Sequence, residues 1–252
     1  MKSPASLSWK VGDIPGLRFN FSGGLEDSSV DDGQSAVDLM DRTAGHTDWV
    51  VVQPDVAATS NCILPAHAVA EIAARDAQVQ SIQIASLPYA CGAAYGNPEV
   101  AAAFGFSSIG DLGAPDFDPS TAPNNGAGFS KDLGGNKLPN TPPFTLSFGA
   151  QYSMPVSESW AETLRGDFYW QGNSFARIFN DKPYDQLHGY TNLNLTLIFT
   201  NQDGWQAMAY VKNVFDTTAI TGAFLNSDDS ALTTNVFLTD PRLFGIRITK
   251  NW

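Results

Sequence analysis

The stretch Phe144-Thr-Leu-Ser-Phe-Gly-Ala-Gln-Tyr152 alternates large apolar residues with small or polar ones. A period of two is the signature of a β-strand, because successive side chains point to opposite faces of a sheet. The two faces would be formed by Phe144, Leu146, Phe148, Ala150 and Tyr152 on one side and by Thr145, Ser147, Gly149 and Gln151 on the other. The stretch therefore predicts a strand with one apolar face and one polar face.

The same alternation recurs along the chain. Further strands of this kind are predicted at residues 5–11, 17–25, 160–171, 192–199, 205–212 and 243–252. Short connections rich in turn-forming residues are expected at 12–16, 153–159 and 200–204, and long ones at 26–143, 172–189 and 214–241. Short turns at one end of a sheet and long loops at the other are typical of an outer-membrane β-barrel, with the short turns on the periplasmic side.

Two all-β architectures fit this alternation. A soluble β-sandwich also alternates. The apolar faces here are rich in aromatic residues near strand ends, and the opposite faces carry Asn, Thr, Gln, Arg and Asp. That distribution favours a transmembrane β-barrel with interfacial aromatic residues and a wet lumen. The chain has no apolar run long enough for a membrane-spanning helix, but transmembrane strands of about 10 residues would not produce one.

Charge and cysteine placement set residues 26–142 apart. The net charge of −12 argues against nucleic acid as a partner, and this segment holds 15 of the 26 acidic residues but only 4 of the 14 basic ones. Both cysteines, Cys62 and Cys91, also lie in it. In an exported protein we expect them to form a disulfide worth about 3–4 kcal/mol, with two free thiols as the alternative.

The same segment contains one predicted helix. Residues 65–79 begin with a proline, which suits a first helical turn, and place Val69, Ile72, Ala73 and Val79 on one loosely apolar face. Beyond Asp111 the chain becomes rich in Pro, Asn and Gly, so an extended or mobile segment is expected there.

No catalytic or metal-binding arrangement is visible in the sequence. His46, His67 and His188 are scattered and show no metal-ligand spacing. The Asp31-Asp32 and Asp228-Asp229 pairs fit exposed acidic turns better than calcium sites. We therefore expect no enzyme activity, no catalytic residues, no metal and no cofactor, and the sequence names no ligand-binding residues.

Three segments of the second half carry a family resemblance. They are Asp132-Leu-Gly-Gly-Asn-Lys-Leu-Pro-Asn-Thr-Pro-Pro-Phe-Thr-Leu-Ser-Phe-Gly-Ala-Gln-Tyr152, Val211-Lys-Asn-Val-Phe-Asp216 and Asp240-Pro-Arg-Leu-Phe-Gly245. In order and spacing they resemble motifs of the late barrel strands of TonB-dependent outer-membrane receptors. The terminal residue is Trp252, where that family usually has Phe.

The resemblance implies a C-terminal barrel segment, with about seven strands of a barrel of about 22 and one long, partly helical extracellular loop at residues 26–143. It implies an energy-coupled outer-membrane receptor that imports a bulky nutrient such as a ferric siderophore, a cobalamin or a glycan. Expected partners are outer-membrane lipid, the barrel assembly machinery and, through an N-terminal part not seen here, the inner-membrane TonB complex. We expect a fragment without signal peptide or plug domain that does not function alone. The alternative is a soluble β-rich binding or adhesion module.

The motifs also imply roles for individual residues. Asn213 and Asp216 are expected to cap backbone groups where a strand meets its outer loop. Arg242 and Arg247 are expected to face the lumen and to offset acids such as Asp167. By the resemblance, the last strand is the part that the assembly machinery recognises, with Phe244, Ile246, Ile248 and Trp252 as the signal.

Overall fold

The structure is a computed structural model that describes residues 5–10, 14–53, 61–78, 86–96, 102, 105, 108–227 and 231–252. The strands, in chain order, are β1 (Ala5–Lys10), β2 (Leu17–Leu25), β3 (Ser35–Val37), β4 (Trp49–Val52), β5 (Cys62–Pro65), β6 (Ser130–Asp132), β7 (Phe144–Pro155), β8 (Trp160–Gln171), β9 (Ser174–Phe175), β10 (Gln186–Leu187), β11 (Tyr190–Asn201), β12 (Trp205–Lys212), β13 (Ile220–Leu225), β14 (Thr234–Leu238) and β15 (Leu243–Lys250). Of the positions predicted from sequence, Val11, Val79, Asp228 and Asp229 lie outside the described residues.

The main sheet has seven strands among the described residues, in the order β1-β2-β7-β8-β11-β12-β15. Every neighbouring pair in it is antiparallel. The prediction of an antiparallel, mainly β structure is therefore confirmed. β1 and β15 form its two edges, and the sheet is open rather than closed over the part of the chain that the structure describes.

Glycines allow the short turns to lie against neighbouring strands. Gly16 has φ 86°, and its carbonyl accepts a hydrogen bond from Ser153 N at 3.0 Å. A Cβ atom at Gly16 would lie 1.9 Å from the Ser153 carbonyl oxygen. Gly204 repeats the arrangement at the short turn between β11 and β12, where a Cβ atom would lie 2.4 Å from the Asn251 carbonyl oxygen. Both positions therefore require glycine, for backbone conformation and for space.

A second compact unit, the loop unit, consists of Val30–Gly135 and Phe224–Asn235. Its helices are α1 (Ala66–Gln78) and α2 (Ala90–Tyr95), with 3₁₀ turns at Leu87–Tyr89, Ile109–Leu112, Pro119–Thr121 and Pro123–Gly126. Its ends are joined where β3 pairs with β6, and β4 pairs with β5 inside it. Its apolar core consists of Val52, Cys62, Leu64, Ala68, Ile72, Ala90, Cys91, Ile109, Leu112, Ala114, Phe117 and Ala122.

Two sequence predictions for this unit need correction. The predicted helix is present, but Ala73 is exposed, and the buried face is formed by Ala68 and Ile72, which lie one turn apart. The segment beyond Asp111 is not simply extended. It forms 3₁₀ turns, and Leu112 and Phe117 contribute to the core. Pro and Asn residues suit such turns, and the apolar residues between the turns are buried in the core.

No helix among the described residues is long and apolar enough to cross a membrane.

Candidate functional site

The apolar face of the main sheet is exposed. Phe148 exposes 40% of its surface, Leu164 54% and Ile246 79%. Strand register places Phe148 beside Phe21 and Phe168, so large side chains adjoin across strands. A contiguous apolar surface of this kind marks a contact with something other than water.

The opposite face of the main sheet is polar and internally hydrogen-bonded. Arg165 Nε donates to Asp167 Oδ2 at 2.7 Å, and a second guanidinium nitrogen contacts the other oxygen of the same carboxylate. Arg165 also reaches Gln151 Oε1 at 3.4 Å, and the hydroxyls of Ser153 and Thr163 lie 2.8 Å apart. The sheet therefore satisfies its charges on one face and leaves the other apolar, as a barrel wall with a wet lumen requires.

The prediction that Arg242 offsets Asp167 is wrong. Asp167 is paired with Arg165, two positions away on the same strand, where both side chains point to the same face. Arg242 instead lies beside Asp216, with Nη2 3.2 Å from Oδ2. Arg247 of β15 lies opposite Met208 of β12 and is three strands away from Asp167 of β8 in the sheet.

Asn213 connects two of the sequence motifs, Val211–Asp216 and Asp240–Gly245. It has φ 49°, and its side chain is almost fully buried. Its Nδ2 donates to the carbonyl oxygens of Thr217 at 3.0 Å and Asp240 at 2.9 Å, and its Oδ1 accepts from Thr217 N at 2.9 Å. The capping role predicted for Asn213 is therefore present, and it extends to the segment that precedes β15.

Asp216 makes the second link between these motifs. Its Oδ1 accepts from the backbone N–H of Arg242 at 3.0 Å, in addition to the ion pair with the same residue. The backbone hydrogen bond and then the guanidinium hold the pKa of Asp216 below its ordinary value, because both favour the charged carboxylate. Together Asn213 and Asp216 fix where the loop after β12 returns to the sheet as β15.

The loop between β8 and β11 contains a charge cluster that the sequence analysis did not find. Arg177 Nε donates to the buried carboxylate of Asp185 at 2.5 Å. Its guanidinium lies 5.2 Å from the ring centroids of both Phe179 and Tyr184. The sequence signal was a lone Arg in an aromatic-rich loop, and nothing local in the sequence shows that Asp185 lies beside it.

The remaining predicted site residues lie in two places. Cys62 and Cys91 are buried in the loop unit and joined by a disulfide, with Cα atoms 5.6 Å apart. On β15, Phe244, Ile246 and Ile248 are exposed on the apolar face by 73%, 79% and 67%, and Trp252 is fully exposed at the end of the chain. Within the described residues, no group of three or more His, Cys, Asp or Glu side chains is placed to hold a metal ion.

The family model described as "TonB dependent receptor-like, beta-barrel" matches residues 92–214. This chain is therefore similar, over residues 92–214, to the β-barrel of TonB-dependent receptors. No curated protein matches it.

Two solved structures are similar to this chain. The ferric yersiniabactin uptake receptor FyuA from Yersinia pestis matches 96% of this chain with 22% of its own, at 11% identity and a TM-score of 0.46. The ferripyoverdine receptor of the outer membrane of Pseudomonas aeruginosa, bound to ferripyoverdine, matches 46% of this chain with 15% of its own, at 23% identity and a TM-score of 0.34. The chain thus spans less than a quarter of the length of either receptor.

The resemblance predicted from the sequence motifs is confirmed by the family match. Barrels of this family are outer-membrane proteins. The family is one of receptors and transporters and not one of enzymes.

Proposed function

We propose that this chain forms one section of the wall of a barrel of about 22 strands, within an energy-coupled receptor that imports a bulky nutrient. The observation that supports this most directly is the inverted polarity of the main sheet. Phe148 and Ile246 are exposed on one face, whereas Arg165 and Asp167 pair on the other. An exposed apolar face is stable against hydrocarbon, and a polar face is stable against a water-filled lumen.

The lengths of the connections support one orientation of the sheet in the membrane. The turn between β11 and β12 is short, as is that between β7 and β8, whereas the connections after β2, β8 and β12 are long. In outer-membrane barrels the short turns are periplasmic, so residues 26–143 belong to the extracellular side. The imported nutrient is a ferric siderophore, a cobalamin or a glycan, and the TonB complex of the inner membrane supplies the energy.

The test of membrane placement is fractionation. The protein that carries this chain should sediment with the outer membrane, require detergent for extraction, and migrate differently on gels before and after heating. A soluble binding or adhesion module would stay folded in water without detergent, and that result would overturn the proposal.

The test of transport uses the same cells. Deletion of the gene should abolish growth on one ferric chelate, cobalamin or glycan as sole source, and the gene on a plasmid should restore growth only when the TonB complex is active. Uptake that persists without the TonB complex would overturn energy coupling.

We further propose that Phe244, Ile246, Ile248 and Trp252 form the signal by which the assembly machinery recognises the last strand. An edge strand with an exposed apolar face can add to another sheet through main-chain hydrogen bonds. Deleting Trp252 should slow insertion, measured by pulse-chase labelling and heat-modifiable mobility. Unchanged rate and yield would leave Trp252 only as an aromatic residue of the membrane interface.

A further inference from the structure

The apolar face of the main sheet has a groove above β12. It has a volume of about 640 Å³ and is lined by Leu195, Leu197, Ala209, Val211, Phe244 and Ile246. The small Ala209 side chain lies between Leu197 of β11 and Ile246 of β15. Ala209 therefore forms the bottom of the groove, and the two larger side chains form its sides. One pair nearer the short turn, Ala207 lies between Phe199 and Ile248, and the same profile continues.

The positively charged side chain of Lys250 lies where β12 and β15 meet the short turn. Lys250 lies opposite Trp205 in the register, and its ammonium is 5.0 Å from the Trp205 ring and 5.5 Å from the Trp252 ring. The ammonium donates to the carbonyl oxygen of Asp203 at 2.5 Å, which fixes it at the turn. Both tryptophans are exposed, as aromatic residues at a membrane interface are.

The dimensions fit one leaflet of a bilayer. From Trp205 to Val211 the strand advances about 20 Å, at about 3.4 Å per residue. A strand tilted by about 45° then descends about 14 Å into the membrane. Half of the hydrocarbon thickness is about 15 Å. The strand pair therefore spans the distance from the interface, at Trp205, to about the bilayer midplane, where the groove lies.

We propose that this groove binds a phospholipid of the periplasmic leaflet, with its phosphate at Lys250 and one acyl chain over Ala207 and Ala209. The proposal rests on the membrane placement given under Proposed function. Lys250 supplies the charge that a phosphate requires, and the two tryptophans flank the headgroup. The alanines leave room for a chain that bulkier residues would displace.

The experiment uses the purified, delipidated protein that carries this chain, in mixed micelles with phosphatidylethanolamine, and counts bound lipid by native mass spectrometry. Lys250→Gln and Ala209→Phe should each weaken lipid binding roughly tenfold or more, since one loses a charge-assisted hydrogen bond and the other fills the groove. Ala209→Leu is the second groove variant if Ala209→Phe folds poorly. Ala150→Phe, on the apolar face of β7 and outside the groove, is the matched control and should bind as the wild type does.

A second probe tests the headgroup. Diacylglycerol, which lacks the phosphate, should bind the wild type about as weakly as phosphatidylethanolamine binds Lys250→Gln. Equal binding of phosphatidylethanolamine to wild type, Lys250→Gln and Ala209→Phe would overturn the site, and so would a protein dimer that replaces bound lipid. If lipid binding is equal in all three proteins but heat-modifiable mobility shows a folded, detergent-requiring barrel, only the lipid site in the groove is rejected. If the protein stays folded in water without detergent, the proposed membrane placement is rejected as well.

Discussion

Phe148 and Ile246 of the main sheet expose 40% and 79% of their surfaces, whereas Leu64 and Ile72 of the loop unit expose none. The polar residues follow the opposite rule in the sheet, where Arg165 is hydrogen-bonded to both Gln151 and Asp167 on one shared face. One chain therefore contains a region with a buried apolar core and a region with an exposed apolar face, and the second fits the lipid surround proposed above.

The comparison shows that burial alone does not identify a core. In the loop unit, stability comes from apolar side chains that pack together away from solvent, with the disulfide as a further constraint. Under the proposed membrane placement, the apolar side chains of the main sheet are stabilised by the hydrocarbon that covers them, and backbone hydrogen bonds join its strands. The two regions should consequently respond to the same kind of mutation in different ways.

The largest expected effect is a core truncation in the loop unit. Leu64→Ala should lower the free energy of unfolding of this unit by about 2–5 kcal/mol, because it removes a fully buried side chain and leaves a cavity. Leu25→Ala, at a leucine that is 64% exposed, is the matched control and should change little. Hydrogen exchange of residues 30–135 measures both, and equal effects would contradict the distinction.

Removing the disulfide should affect the loop unit almost as strongly. Cys62 and Cys91 are 29 residues apart, and opening a loop of that size costs about 3–4 kcal/mol in the chain-entropy account. Alkylation of denatured protein from intact cells, with and without prior reduction, should label both thiols only after reduction. Labelling without reductant in properly exported protein would remove the disulfide.

An arginine scan of β7 tests the main sheet. Phe148→Arg should cost about 2–4 kcal/mol if the residue lies near the bilayer midplane, and Ser147→Arg should cost far less because its side chain points to the polar face. The two residues are adjacent, so the backbone environment is matched. Unfolding in lipid vesicles measures the difference, and equal losses would show that the face assignment is wrong.

The main sheet was predictable because its signal is local. Alternation along β7, β8, β11 and β15 shows in the sequence which residues share a face, and turn residues mark the short connections. The loop unit was not predictable in the same way. Its strands β4 and β5 are four residues each, Trp49–Val52 and Cys62–Pro65, and such short apolar runs do not show a period.

Contacts between residues far apart in the chain could not be predicted from the sequence either. Arg242 was expected to face the lumen and to offset acids such as Asp167, but the partner of Arg242 is Asp216, which is 26 positions away. Arg165 lies two positions from Asp167, and this pair could have been found from the alternation, since both residues fall on one face. The capping role of Asn213 was predicted, but its hydrogen bond to the Asp240 carbonyl depends on how the loop returns.

The smallest expected effect concerns the contact between Asp216 and Arg242, where the loop after β12 leads back to β15, and this effect depends on pH. The folded pKa of Asp216 is lowered from its ordinary value of 3.8, chiefly by the backbone N–H of Arg242 and then by its guanidinium. A carboxyl with a lowered folded pKa binds its proton less readily in the folded state, so its contribution to stability is present above the unfolded pKa and is lost as pH falls through the folded pKa.

Asp216→Asn isolates this charge. Asp216 has φ 55°, a left-handed conformation that Asn also tolerates, and the Asn carbonyl can still accept from Arg242 N. The wild type should therefore be more stable than Asp216→Asn at neutral pH, and the difference should shrink toward zero as the pH falls through the lowered folded pKa of Asp216. Because Asp27 also has a lowered pKa through Lys137, only the difference between the two proteins, and not the acid limb of either one, reports on Asp216. Thermal midpoints read from heat-modifiable mobility across that pH range measure it; a difference that persists unchanged at low pH would assign the effect to side-chain shape and not to the Asp216–Arg242 ion pair.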